Sequence, residues 1–236
     1  MTEPVVLLPG MMCDVRVFGP QLQVLSASRS VMLAPVTGGE RVEEMASALL
    51  DQIPRRSAVI GLGLGAIVAM ELIRRAPDRI GRLCLMSAHP LAETPVDAAA
   101  REPEIVGARS GRLADVARAA LPPDTLAPGP KRLDLQNLVV RMAQDLGPDI
   151  FVRQSRALQR RRDQQGTLRK IKVPSMVVGG AHDSLVPVKR QAFMAGLIPG
   201  ATFHQIDNAG HLPTLEAPGE CLDLIFAWLK APMPVA

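Results

Sequence analysis

Residues 58–72, AVIGLGLGAIVAMEL, carry the clearest chemical pattern in the chain. A run of small and β-branched residues passes straight into a helix-forming run through Gly61-Leu62-Gly63-Leu64-Gly65. This is the frame G-x-S-x-G, in which a serine rides a sharp strand-to-helix turn. Gly61 and Gly65 hold the outer positions, and Gly63 stands where the serine belongs. Side chains at the outer positions would collide with the neighbouring strand and helix. The central residue is forced into a strained conformation that presents it at the helix N-terminus, where the backbone N–H of Leu64 faces an oxyanion. The same letters admit a second parse, Gly61-x-Gly63-x-x-Ala66, the glycine fingerprint that lets a pyrophosphate approach a helix N-terminus. That parse needs an acid about 20 residues further on. The next strand ends in Met86-Ser87-Ala88-His89 without one, and two strands already precede the turn. A dinucleotide-binding protein is the weaker alternative, and no cofactor is expected.

The elements around this turn follow an α/β pattern. Residues 4–9, 30–35, 57–62, 82–88, 174–180 and 201–207 read as short buried strands ending in proline or glycine turns. Residues 41–53, 64–76 and about 217–230 read as helices; in the first, Val42, Met45, Leu49 and Ile53 recur at helical spacing. This alternation predicts a mostly parallel sheet covered by helices on both faces. Residues 92–170 break it. They offer no strand, three proline-containing loops (Pro103, Pro122-Pro123, Pro128-Gly129-Pro130) and helical runs at 101–120, 132–146 and 149–163. The expected division is a core of residues 1–91 and 171–236, with 92–170 as a helical cap over the carboxyl ends of the strands, where ligands bind in open α/β folds.

With those elements in place, the chain resembles the α/β-hydrolase superfamily over nearly its whole length. Leu7-Leu8-Pro9-Gly10-Met11-Met12-Cys13-Asp14 is similar to the loop that supplies one oxyanion-hole amide, although proline stands where histidine is commoner. The resemblance makes the Met11 N–H the donor paired with Leu64. Gly179-Gly180-Ala181-His182-Asp183-Ser184-Leu185-Val186-Pro187 is similar to the acid loop, which implies that Asp183 is the acid. Asn208-Ala209-Gly210-His211-Leu212-Pro213 is similar to the late histidine loop, which implies that His211 is the general base. The order nucleophile, acid, histidine is the family's own. Taken singly, Asp183 could equally form an Asx turn before Pro187, and His211 could be an ordinary loop histidine. His182 and His204 read as structural or surface residues, and no spacing suits a metal. Cys13 reads as a small buried hydrophobe.

The resemblance implies a Ser-Asp-His mechanism on a small carboxylic ester or lactone, which glycine at the nucleophile position must abolish or nearly so. Retention of Asp183 and His211 favours a hydrolase whose serine has been exchanged, an inactivated variant. The alternative is a natural member of the fold that binds a ligand without turning it over. The superfamily also includes thioesterases, amidases, carbon–carbon hydrolases and aspartate-dependent enzymes; the Gly-Leu-x-Leu-Gly-Ala spacing favours serine-type ester chemistry. Met142, Leu138, Val139, Val140, Phe151 and Leu158 are candidate pocket walls, and Arg141, Arg153 and Arg156 candidate carboxylate partners.

Bulk properties agree with a soluble enzyme. The chain has 236 residues, 47% of them hydrophobic and 21% charged, enough for one well-packed domain. Its first ten residues lack the basic and apolar regions of a signal peptide, and no apolar run approaches the ~20 residues of a membrane span. Three widely spaced cysteines fit a reducing cytoplasm. The net charge of +4 comes largely from arginines in residues 153–172, a stretch without an aromatic residue, so nucleic acid is not an expected partner. A small ester-like molecule is the expected partner; oligomeric state is not visible.

Overall fold

The computed structural model describes residues 3–232. Six strands form one wholly parallel sheet: β1 (Val5–Leu8), β2 (Val31–Leu33), β3 (Ser57–Leu62), β4 (Ile80–Met86), β5 (Ser175–Gly180) and β6 (Thr202–Ile206), in the order β2-β1-β3-β4-β5-β6. All six lie within two residues of their expected positions. Strand β1 is buried on both faces, and its alternating side chains feed two cores. Val5 and Leu7 join Ala58, Ile60, Met176 and Val178 on one face. Val6 and Leu8 join Val59 and Val177 on the other.

The second face is covered by α2 (Val42–Leu50) and α3 (Leu64–Arg75), with α1 (Gly19–Leu25) on the first. Between β4 and β5 come α4 (Pro95–Gly107), α5 (Leu113–Ala120), α6 (Arg132–Leu146), α7 (Pro148–Gln159) and the single turn α8 (Gln165–Leu168). The one helix expected over 101–120 is in fact two, kinked at Ser110 and at Gly111, whose φ is +84°. Pro103, expected to mark a loop, lies inside α4, where it removes one helical hydrogen bond without ending the helix. Helices α9 (Val188–Leu197), α10 (Pro213–Glu216) and α11 (Pro218–Lys230) are the last among the described residues. The inserted helices share the core of the sheet: Ile105, Val139 and Phe151 pack in one apolar cluster with Leu7 and Ile60.

Two buried polar ties fix the insertion to the sheet. Gln154 of α7 accepts from Met12 N at 2.9 Å and donates to Val36 O at 3.1 Å. Glu71 of α3, wholly buried, accepts from Arg74, Arg75 and Gln164. Burial opposes its charge, yet these three donors hold its pKa down to about 2. The strand order places a topological switch point between β1 and β3: the chain leaves β1 toward β2, then returns to the other side with β3. The crevice at the carboxyl ends of those two strands is where such sheets bind ligands.

Candidate active site

Five loops meet at that crevice. Asp183 follows β5 and is 3% exposed. Its carboxylate accepts from Val186 N at 2.9 Å, from Gln191 Nε2 at 3.2 Å and from His211 Nδ1 at 3.0 Å. The Asx turn and the histidine contact are therefore not rival roles, because one carboxylate serves both. The turn fixes the side-chain direction, and Gln191 of α9 holds the oxygen that faces the imidazole.

His211 sits in the loop after β6, and three contacts set its place. Its backbone N–H donates to Thr125 O at 2.8 Å. Glu216, at the end of α10, accepts from Gly210 N at 2.9 Å, Leu212 N at 2.7 Å and Ala127 N at 2.6 Å. The Glu216 carboxylate thus clamps both residues flanking His211 and ties them to the inserted segment. Burial disfavours the imidazolium, but the attraction and hydrogen bond of Asp183, with Glu216 adding to them, hold the His211 pKa above its ordinary 6.5. Glu216→Ala is expected to lower stability by about 2 kcal/mol, since it orphans three amides. In a chain also carrying Gly63→Ser it should lower kcat about 10²-fold with KM little changed. Glu216→Gln, which keeps one acceptor oxygen, should recover part of both; equal kcat in all three chains would rule out a positioning role.

Gly63 takes φ +52° and ψ −114° at the junction of β3 and α3. An ideal Cβ built there meets only ordinary contacts, at 3.8 Å from Gly10 Cα and 3.8 Å from His211 Nε2. A hydroxyl one bond beyond that Cβ falls within hydrogen-bonding reach of Nε2. The outer glycines are fixed by contact: a Cβ at Gly61 would lie 2.5 Å from Ala66 N, and one at Gly65 only 2.0 Å from Leu8 O. Leu64 opens α3, so its N–H has no partner within the helix. Met11 lines the same cavity from the loop after β1, next to Met12, whose φ of +58° is held by the Gln154 bond.

The cavity has a volume of about 440 Å³. Met11, Gly63, Leu64 and His211 line it, while Asp183 lies behind the imidazole. Of the expected apolar walls, Val139 and Leu158 reach it; Met142 and Phe151 serve the core instead. The expected arginines do not face inward: Arg141 and Arg153 are exposed, and Arg156 pairs with Glu102. The basic side chains at the cavity are Arg101, Arg161 and Arg190, with His89 among them. No local signal in the sequence at the end of β4 singles out His89. Cys13 lines the cavity too, but burial, with Asp14 adding to it, pushes its thiol up to about 12, so it is no nucleophile at neutral pH. Ser87 is buried beside the elbow, at φ +49°, and its Oγ has no partner among the described residues, His211 included. No group of three His, Cys, Asp or Glu among the described residues is placed to hold a metal ion.

A parallel sheet with a glycine-framed strand-to-helix turn, an aspartate loop after β5 and a histidine loop after β6 defines the α/β-hydrolase class. The profile of the alpha/beta hydrolase family matches residues 5–224, and the chain belongs to that family. Among curated relatives, a pimeloyl-[acyl-carrier protein] methyl ester esterase of Aromatoleum aromaticum is 29% identical over 79% of this chain and 79% of its own. Among solved structures, a thermophilic esterase from Thermogutta terrifontis superposes with a TM-score of 0.87 at 22% identity, covering 97% of this chain and 89% of that one. An enol-lactonase from Burkholderia xenovorans gives 0.83 at 22% identity, covering 98% and 92%. The curated relative is thus an esterase by name, and the structural neighbours share the fold. No helix among the described residues is long and apolar enough to cross a membrane.

Proposed function

We propose that this chain carries the site of a carboxylic-ester or lactone hydrolase, with Gly63 in the nucleophile's seat, and that as it stands it binds its ester without turning it over. One observation carries the reading. A side chain at position 63 would aim at His211 Nε2 from 3.8 Å, while the opposite nitrogen of the same ring is bound to Asp183 at 3.0 Å. Such an imidazole is oriented to take a proton from a group at position 63 and to have its charge steadied from behind. The amides of Met11 and Leu64 are the donors for the oxyanion that attack would create. Residues 92–170 act as the lid, through Leu121, Val139 and Leu158. The pimeloyl methyl ester named for one relative and the enol lactone of another protein of this fold support ester chemistry here.

Glycine supplies no hydroxyl, so no acyl-enzyme forms. The intact Asp183–His211 contact favours a hydrolase whose serine has been exchanged over a binding protein that never had one. A short-chain nitrophenyl ester should bind saturably, as read by competition or calorimetry, and release nitrophenol no faster than buffer does. Rapid, saturable release by the chain as written would overturn the reading.

A further inference from the structure

We propose that His89, Arg161 and Arg190 form an anion-binding subsite of the cavity, so that the ester taken here carries a second, acidic group, a carboxylate or a phosphate. This rests on the ester-hydrolase reading above and extends it to substrate class.

Arg161 belongs to the run Arg160-Arg161-Arg162 just beyond α7. The outer two pair at the surface with Glu40 at 3.0 Å and Glu43 at 2.9 Å. Among the described residues, no carboxylate lies within ion-pair distance of Arg161 or Arg190. Both turn instead to His89, with Arg161 Nη2 at 3.0 Å from its Nε2 and Arg190 Nη1 at 3.5 Å. A guanidinium has only donors, so Nε2 must accept and the ring proton sits on Nδ1. That Nδ1–H and Arg161 Nε are both buried and have no acceptor among the described residues. His89 is 9% exposed. The cluster is therefore rich in donors and short of acceptors, which an anion corrects more strongly than a neutral acceptor and which a cation worsens.

Of the acids near it, two are bonded elsewhere, although Asp97 also feels the charge of Arg190 through space. Glu93 is held by Arg101 at 2.6 Å, and Asp97 receives the Thr94 hydroxyl at 2.8 Å. Glu104 is pushed toward its neutral form by burial, Glu93 adding to this against Arg101. Burial drives Arg161 down to about 10; Glu93 and Asp97 oppose the shift, and Arg101 and Arg190 add to it. Burial and the two arginines take His89 down to about 4, so it is neutral at pH 7. A bound anion would relieve His89 and Arg161, and it would do so in the cavity that Gly63 and His211 line.

The test uses the chain as it stands, which should bind without turnover. Calorimetry compares monomethyl glutarate, a methyl ester bearing a phosphate at similar length, and neutral dimethyl glutarate. At least one anionic ester is expected to bind about tenfold or more tightly than the diester; whichever is tighter identifies the acidic group. Arg161→Gln should bring the ratio of anionic to neutral affinity toward one, and Arg190→Gln, at an exposed position, should lower it by a smaller factor. Equal affinities, or a ratio that neither substitution moves, overturns the subsite. If no ester binds at all, glutarate separates the two readings. Binding of glutarate that Arg161→Gln abolishes keeps the subsite while the ester reading falls, and no glutarate binding removes the subsite as well.

Discussion

Gly63→Ser is expected to turn this protein into an active esterase, with kcat on a short-chain aryl ester rising by about 10⁶, the factor by which serine-type triads fall when the nucleophile is removed. The space is already there, since a Cβ at position 63 meets nothing closer than 3.8 Å. The partner is there too, in His211 Nε2. The backbone conformation, φ +52°, is one that L-residues adopt under strain, so the substitution should lower stability by about 1–3 kcal/mol. Gain of activity and loss of stability from a single hydroxymethyl group would together mark a functional seat. The pH dependence is fixed in sign. His211 must be neutral to accept the proton, and Asp183 holds its pKa above 6.5, so kcat/KM should rise with pH through a midpoint above 6.5. An organophosphonate should label position 63 stoichiometrically. No esterase activity and no labelling in a folded Gly63→Ser protein would mean that Asp183 and His211 are not the remains of a triad.

This experiment tests the part of the site that the sequence made legible, and the reason is locality. The elbow, the acid loop and the histidine loop are each written in a few consecutive residues. Tight turns need glycine at set positions, and those needs do not depend on distant packing. The strands were legible because both faces are buried, giving unbroken apolar runs such as VVLL and SAVIGL. Helix α9 was not, since it turns Met194 and Ala195 to the core but leaves Phe193 45% exposed, which spoils the periodic signal. Helix α1 is only seven residues and opens with Gly-Pro. The charged wall of the cavity was illegible for a different reason. His89, Arg161 and Arg190 come from three separate elements, and nothing local separates Arg161 from the two arginines beside it. Helix α7 has ended at Gln159, so helical phase does not sort them. Which arginine turns inward is decided by the acids on α2 and its approach that claim Arg160 and Arg162, and by His89 that receives Arg161.

Asp183→Asn, introduced together with Gly63→Ser, is expected to lower kcat by about 10⁴ with KM little changed, in a protein that still folds. The aspartate has three donors on its two oxygens: Val186 N, Gln191 Nε2 and His211 Nδ1. An asparagine can satisfy only some of them. With its oxygen toward Val186, its amide faces two other donors, and His211 must turn its unprotonated nitrogen to that amide. The proton then sits on Nε2, where it blocks acceptance from the serine. With its oxygen toward the imidazole, the tautomer survives but the turn that directs the side chain loses its acceptor. Either orientation also removes the charge that stabilises the imidazolium. Burial is the largest influence on His211 and acts downward; Asp183 is what reverses it. The midpoint of the pH profile should therefore move below that of the chain carrying Gly63→Ser alone, so that the remaining activity persists to lower pH. If the Asn substitution left kcat and that midpoint unchanged, Asp183 would be an Asx-turn residue that merely touches the histidine, and the base would need another source of orientation.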